Sequence, residues 1–289
     1  MMRLIHRLTL AGGSLLAAMG PAFAEDAGAL VGQPTPGAIG LQPAANALAH
    51  QAAAFHNDIL MPIITVITLL VLGLLLWIVV RYRRAANPTP SKISHNTLLE
   101  VVWTGVPVLI LVVIAIPSFR LLYAQYEDKP VDVTIKVTGH QWYWSYEYPD
   151  SNDLSFDSVM LTDDEAAKAG APRLLGVDNN MVVPAGKRVK LIITAADVIH
   201  SWAMPSLKAK MDAVPGRLSQ LQFQAPDKPG LYYGQCSELC GVRHGFMPIA
   251  MEVLPADKYA DWLSQAKAKF AATPSANQYA DAGALRVTQ

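Results

Sequence analysis

The chain has 289 residues, 23 of them Lys or Arg and 23 Asp or Glu, so its formal net charge is zero, with no basic surplus of the kind that points to nucleic acid. Only two cysteines occur, and both lie in one short stretch. Hydrophobic residues make up 52% of the chain, and much of that share is gathered in two long runs rather than dispersed.

In chain order, residues 1–24 begin with Arg3, His6 and Arg7, continue with an apolar run from Leu8 to Met19, and close with Ala22-Phe23-Ala24. This pattern predicts a secretory signal peptide cut after Ala24; a spanning helix is the weaker reading, because the run is short and holds two glycines. Residues 25–55, rich in Ala, Gly and Pro, read as a flexible exported leader.

Ile59 to Val80 is free of charge and twenty-two residues long. At about 1.5 Å per residue it can cross a hydrocarbon core of roughly 30 Å. A second uncharged run, Val101 to Ser118, contains two prolines and predicts a return span over about 101–122. Arg81, Arg83, Arg84 and Lys92 lie in the loop 81–99, so the positive-inside rule places that loop in the cytoplasm and both mature termini in the periplasm. Residues 56–123 therefore read as a transmembrane hairpin. Thr97-Leu-Leu-Glu100 has the form of a capping box opening the second helix, and a carboxylate there also meets the positive end of the helix dipole. An ionisable group at a membrane boundary can equally mark a proton path, so Glu100 has two readings.

After Ala124 the pattern turns to alternation. Val131, Val133, Ile135 and Val137 share one face; Lys187–Thr194, Ser219–Phe223 and the set Ile249, Met251, Val253 alternate likewise, with turns at Pro184-Ala-Gly, Pro215-Gly and Asp227-Lys-Pro-Gly. Short strands between turn signals predict an all-β sandwich over 124–265. Gln141 to Tyr148 reads as a strand with Trp142 and Trp144 opposite Tyr143, residues that packing alone would put in a core. Between Glu147 and Ala166 stand seven acidic residues and no basic ones, a solvated loop or a face that steers a basic partner. Pro255 to Leu263 predicts a short helix, and the tail 266–289 ends in a polar, small-residue-rich stretch from Thr273 with no assigned role.

The chemistry is concentrated in Gly234-Gln-Cys-Ser-Glu-Leu-Cys-Gly-Val-Arg-His-Gly-Phe-Met247. Cys236, Cys240, His244 and Met247 can turn four donors to one point, and soft donors select copper, zinc or iron-sulfur centres. A mononuclear blue-copper site needs one thiolate; the second suggests two metal ions. A disulfide across so short a loop constrains little and leaves His244 and Met247 unexplained. Zinc is disfavoured by the methionine. A further nitrogen ligand must come from elsewhere, and after Tyr123 only His140, His200 and His244 are present.

Four motifs in order, Gly-His-Gln-Trp-Tyr-Trp-Ser-Tyr-Glu-Tyr at 139–148, Asp-Val-Ile-His-Ser-Trp at 197–202, Asp-Ala-Val-Pro-Gly-Arg at 212–217 and the cysteine loop, resemble subunit II of the aa3-type cytochrome c oxidases, heme-copper terminal oxidases, in their bacterial form. The resemblance runs from about Gly40 to Trp262. It implies a two-helix transmembrane hairpin followed by an all-β cupredoxin-like sandwich in the bacterial inner membrane. It implies a binuclear CuA centre of two copper ions, held by Cys236 and Cys240 as bridging thiolates, His200 and His244 as terminal ligands, Met247 as a weak ligand and the carbonyl of Glu238. The Glu238 side chain would reach a magnesium shared with subunit I, which carries heme a and CuB. Trp142 would be where the electron enters from cytochrome c. Glu147, Asp150, Asp153, Asp157 and Asp197 would dock that basic protein, and Glu100 would lie at the mouth of a proton channel. Implied partners are subunit I, subunit III, cytochrome c and membrane lipid. Lys208, just after Pro-Ser-Leu, stands where that family generally has a small residue. A metal site closed by protein ligands reads as an electron wire, with dioxygen reduction and proton pumping in subunit I. Three other functions are weighed against it. A soluble CuA-bearing nitrous oxide reductase is opposed by the two spans, and a quinol-oxidising subunit II by the thiolates. A membrane-anchored copper carrier would need a more exchangeable site.

Overall fold

The computed structural model describes residues 32–151 and 154–270. The predicted signal peptide, the tail beyond Phe270 and Asp153 lie outside the described residues.

The first helix, α1, runs unbroken from Ala47 to Arg81, with a π-helical turn at Phe55–Leu60. It starts well before the apolar run expected to open it. Ala47–Ala54 is alanine-rich and a strong helix former, and Asn46 caps it by accepting from the Ala49 N–H at 2.8 Å. Of the preceding segment, expected to be flexible, residues 32–46 are held against the rest of the protein at several points. Gly32 accepts at its carbonyl from Tyr233 N, Ala45 N donates to Ser206 O, Lys208 Nζ donates to Gln42 O, and Asn46 Nδ2 donates to Gln224 O. The second helix, α2, spans Thr97–Gln125 through both Pro107 and Pro117. Its cap is Asn96, accepting from Leu99 N at 3.2 Å, rather than Thr97, which is the first helical residue. The cap is thus one position before the expected one, at a residue type that ranks higher at N-caps, and with Leu99 at N3 the expected capping box to Glu100 does not form. Apart from the opening turns of α1, both helices are apolar on all sides with no buried residue, the pattern of spans that meet hydrocarbon.

The sandwich begins with β1 (Val133–His140) and β2 (Tyr143–Tyr148), then β3 (Leu154–Ser158), a short helix α3 (Asp163–Ala169), β4 (Met181–Pro184), β5 (Arg188–Ala195), β6 (His200–Met204), β7 (Ala209–Ala213), β8 (Ser219–Gln224), β9 (Gly230–Gln235) and β10 (Pro248–Leu254). One sheet has the order β3-β2-β1-β5-β8, a second β4-β10-β9, and β6-β7 forms a separate ribbon. β1 pairs parallel with β5, and β4 parallel with β10; the other pairings are antiparallel. Alternate residues of β1 and β5 are buried, so Ile135, Val137, Leu191 and Ile193 face Met181, Val183, Ile249 and Met251 across one core. The Tyr148 hydroxyl joins the layers, donating to Val182 O at 2.9 Å and accepting from Val182 N at 2.8 Å.

Two departures refine the expected elements. The acidic run is not all loop: Asp163, Asp164 and Glu165 form the first turn of α3, capped by a reciprocal Thr162–Glu165 box, where the helix dipole favours carboxylates. The C-terminal helix α4 covers Ala256–Phe270, beyond the expected end at Leu263, because Trp262 and Phe270 pack on Tyr148 and Phe156.

Candidate metal centre

Three segments far apart in sequence meet at one end of the sandwich. The cysteine loop connects β9 to β10; His200 is the first residue of β6; Gln141 and Trp142 make the turn between β1 and β2. Ser237 N donates to Ser201 O at 3.0 Å, fixing the loop against β6.

Within this corner the sulfurs of Cys236 and Cys240 are 3.8 Å apart, and both thiols are free and buried. Cys236 Sγ lies 3.9 Å from His200 Nδ1 and 3.3 Å from the Glu238 carbonyl oxygen. Cys240 Sγ lies 3.5 Å from His244 Nδ1 and 3.5 Å from Met247 Sδ. The atoms of His200, Cys236 and Cys240 fall within 4.8 Å of one another, and this is the one group of its kind among the described residues. Two thiols, two imidazoles, a thioether and a carbonyl form a soft-to-borderline donor set that suits copper.

Surrounding groups hold the donors in place. Asp197 Oδ1 is 2.9 Å from His200 Nε2, which leaves Nδ1 to face the sulfurs. Burial opposes charge on both groups, yet hydrogen bonds prevail: those from His200 and the Val198 and Gln141 backbone hold Asp197 below its usual range, and those with Cys236 and then Asp197 hold His200 above its own. At Cys236 burial pushes the thiol up, but hydrogen bonds from His200 and the loop backbone outweigh it and hold it at about 6. Burial, with the charge on Cys236, pushes Cys240 up to about 12. Two thiols this close do not both ionise readily unaided, and a cation between them would hold both as thiolates.

The β1–β2 turn closes the site from outside. Gln141 Nε2 and Trp142 Nε1 both donate to the Cys240 carbonyl, at 2.9 and 3.1 Å, and Trp144 Nε1 donates to Met247 O at 3.3 Å. Trp144 is fully buried, whereas Trp142 is half-buried and belongs to the turn, since β2 begins at Tyr143. Gly139 has no room for a side chain: a Cβ there would stand 2.9 Å from the His200 ring.

The remaining expected residues are dispersed. Glu147 pairs with Lys136 at 2.8 Å, Asp150 accepts from Thr134 N, and Asp157 accepts from the Ser145 hydroxyl at 2.6 Å. Asp197, expected on the docking face, also accepts from Gln141 N and Val198 N, so its oxygens are engaged within the site. Glu100 is exposed in the first turn of α2. Gln141, Gly139 and the positioning role of Asp197 were not found by sequence reasoning. The Asp197-Val-Ile-His200 spacing and a glycine inside an alternating strand were the available signals.

Residues 133–254 match the family described as "Cytochrome C oxidase subunit II, periplasmic domain", and residues 34–121 match "Cytochrome C oxidase subunit II, transmembrane domain". A "Probable cytochrome c oxidase subunit 2" of Rickettsia bellii (strain RML369-C) is 49% identical over 232 residues, 80% of this chain and 85% of that one. The "Cytochrome c oxidase subunit 2" of Cereibacter sphaeroides is 43% identical over 284 residues, 91% of this chain and 93% of that one. Among solved structures, the periplasmic domain of subunit II of cytochrome oxidase of Bradyrhizobium japonicum is 52% identical, with a TM-score of 0.46, over 49% of this chain and 98% of that one.

Proposed function

The chain belongs to the cytochrome c oxidase subunit II family, and from that premise we propose that it takes electrons from cytochrome c at a binuclear CuA centre and passes them to heme a of subunit I. It is an integral membrane protein with a periplasmic domain, and we place it in the bacterial inner membrane with both mature termini outside.

The carrying observation is the convergence of His200, Cys236, Cys240, His244 and Met247 side chains, with the Glu238 carbonyl, on two adjacent sulfurs. Copper held there would supply a reversible one-electron carrier. The chain itself does the positioning. Asp197 sets the His200 ring, and Gln141 and Trp142 brace the Cys240 backbone from the surface. The buried thiols and Met247 keep bulk water from the donors and weigh against an exchangeable carrier site. Donor sets drawn wholly from protein leave no position for substrate, so dioxygen chemistry and proton pumping fall to subunit I, with its heme a and CuB.

Trp142 joins solvent to the loop by one side chain, which supports it as the point where the electron enters. Asp150 and Asp157 are exposed and Glu147 is half-buried, each with one internal contact, and together they are the acidic groups left to meet a basic cytochrome c; Asp153 completes the set by sequence. The Glu238 carboxylate is left for a magnesium shared with subunit I, and Glu100 for the cytoplasmic end of a proton path. Subunit III is the other expected neighbour.

The full chain, purified in detergent and loaded with copper, tests this directly. Two coppers per chain sharing one unpaired electron in paramagnetic resonance are expected. A single localised copper, a preference for zinc, or a disulfide would remove the wire.

A further inference from the structure

Where α2 ends against the sandwich, the chain forms a partly open cleft of about 180 Å³, walled in part by Tyr126, Leu48, Lys208, Lys210, Met211 and Phe223. Two of these are cations, and among the described residues no carboxylate lines the cleft. Among the described residues neither Lys208 nor Lys210 forms an ion pair. Lys208 is half-buried, and burial pulls its ammonium below the usual lysine range. Among the described residues its one acceptor is Gln42 O at 2.8 Å, although an ammonium carries three donors. Lys208 also holds a left-handed backbone, φ 53°, a conformation unfavourable for a residue with a side chain. A strained, half-desolvated, unpaired charge is the sort of feature that a ligand anion compensates.

Position and wall chemistry narrow that anion. The apolar length of α2 finishes here, and Tyr123 in its last turn and Tyr126 just after it stand exposed, as aromatic residues do at a membrane surface. Leu48, Met211 and Phe223 make the other part of the wall apolar. We propose that this cleft binds the phosphate headgroup of an anionic phospholipid from the leaflet on the sandwich side. Lys208 and Lys210 contact the phosphate, and the apolar wall contacts the glycerol and first acyl methylenes. A free phosphate would use the lysines alone and leave the apolar wall without a partner.

The full chain in nonionic detergent, given phosphatidylglycerol, phosphatidylcholine or inorganic phosphate, can be assayed for retained adducts by native mass spectrometry. One tightly held phosphatidylglycerol is expected, weakened about fivefold by either Lys208→Gly or Lys210→Gln. Glycine accepts the left-handed backbone at 208, and Lys210→Gln leaves the Gln42 contact untouched, so loss in both variants is not a folding effect. Lys258→Gln, on α4, should change nothing. Undiminished phosphatidylglycerol in the two variants, or phosphatidylcholine held as tightly by the unaltered chain, overturns the proposal. Inorganic phosphate held as tightly as the lipid overturns it too, in favour of a free-anion site.

Discussion

Asp197 Oδ1 and His200 Nε2 stand 2.9 Å apart, and the opposite nitrogen of the same ring faces Cys236 Sγ across 3.9 Å. A carboxylate three residues before the imidazole thereby selects which nitrogen is offered to a metal. Groups in this relation typically contribute 10–100-fold to metal affinity. Asp197→Ala is expected to weaken copper binding within about that range, measured by competition with a chelator. Unchanged affinity would show that β6 and Gly139 orient the ring unaided.

Gly139 supplies an independent check on how tightly that ring is held. A methyl group in Gly139→Ala would stand 2.9 Å from His200 Cδ2, closer than carbon atoms tolerate. Either the ring or β1 must move, at about 1–3 kcal/mol for an overpacked site. The expected outcome is a lower melting temperature together with an altered copper spectrum. A normal spectrum with normal stability would mean that the strand yields cheaply.

How much of this was legible in the sequence follows from distance along the chain. Cys236, Cys240, His244 and Met247 are close neighbours in sequence, so their convergence could be read from spacing. Gln141 reaches Cys240 across 99 positions, a contact that only the pairing of β1 with β2 and β5 creates. Alternation reports burial of one face, as at Ile135 and Val137, and it found β2, β5, β8 and β10 to within two residues and β1 to within three. The short strands β3, β4, β6, β7 and β9 were not found; β4 and β6 are buried at every position and so carry no alternation. The opening of α1 was missed because alanine carries no amphipathic signal, although Asn46 three residues before Ala49 was a usable cap. At α3 the charges drew attention away from Thr162 and Glu165, whose spacing already spelled a helix start.

Metal binding should also register as stability. The donors come from β6 and from the β9–β10 loop, so an ion held there joins segments that the unfolded chain separates. With free copper at a thousand times the dissociation constant, stabilisation of about 4 kcal/mol is expected. Thermal unfolding with and without copper measures it, and Cys240→Ser should abolish most of the gain. A melting temperature indifferent to copper would place the ion outside the folded corner.

His140 gives the pH dependence. Its ring stacks on Tyr143 with centroids 4.5 Å apart, and Nε2 lies 3.1 Å from the Ser145 hydroxyl. Because that hydroxyl donates to Asp157, Nε2 must be the protonated nitrogen. Burial holds the imidazole below its usual value of 6.5, against the opposing pull of Asp157 and Asp197. The unfolded chain therefore binds this proton more tightly than the folded one. His140's contribution to stability is complete above pH 6.5 and is lost as pH falls through the lower, folded value. Proton resonances of the His140 ring in the copper-free chain should titrate below 6.5, and His140→Asn should flatten the decline in stability beneath that pH. A titration midpoint above 6.5 would mean that the two carboxylates outweigh burial, and the slope would then reverse.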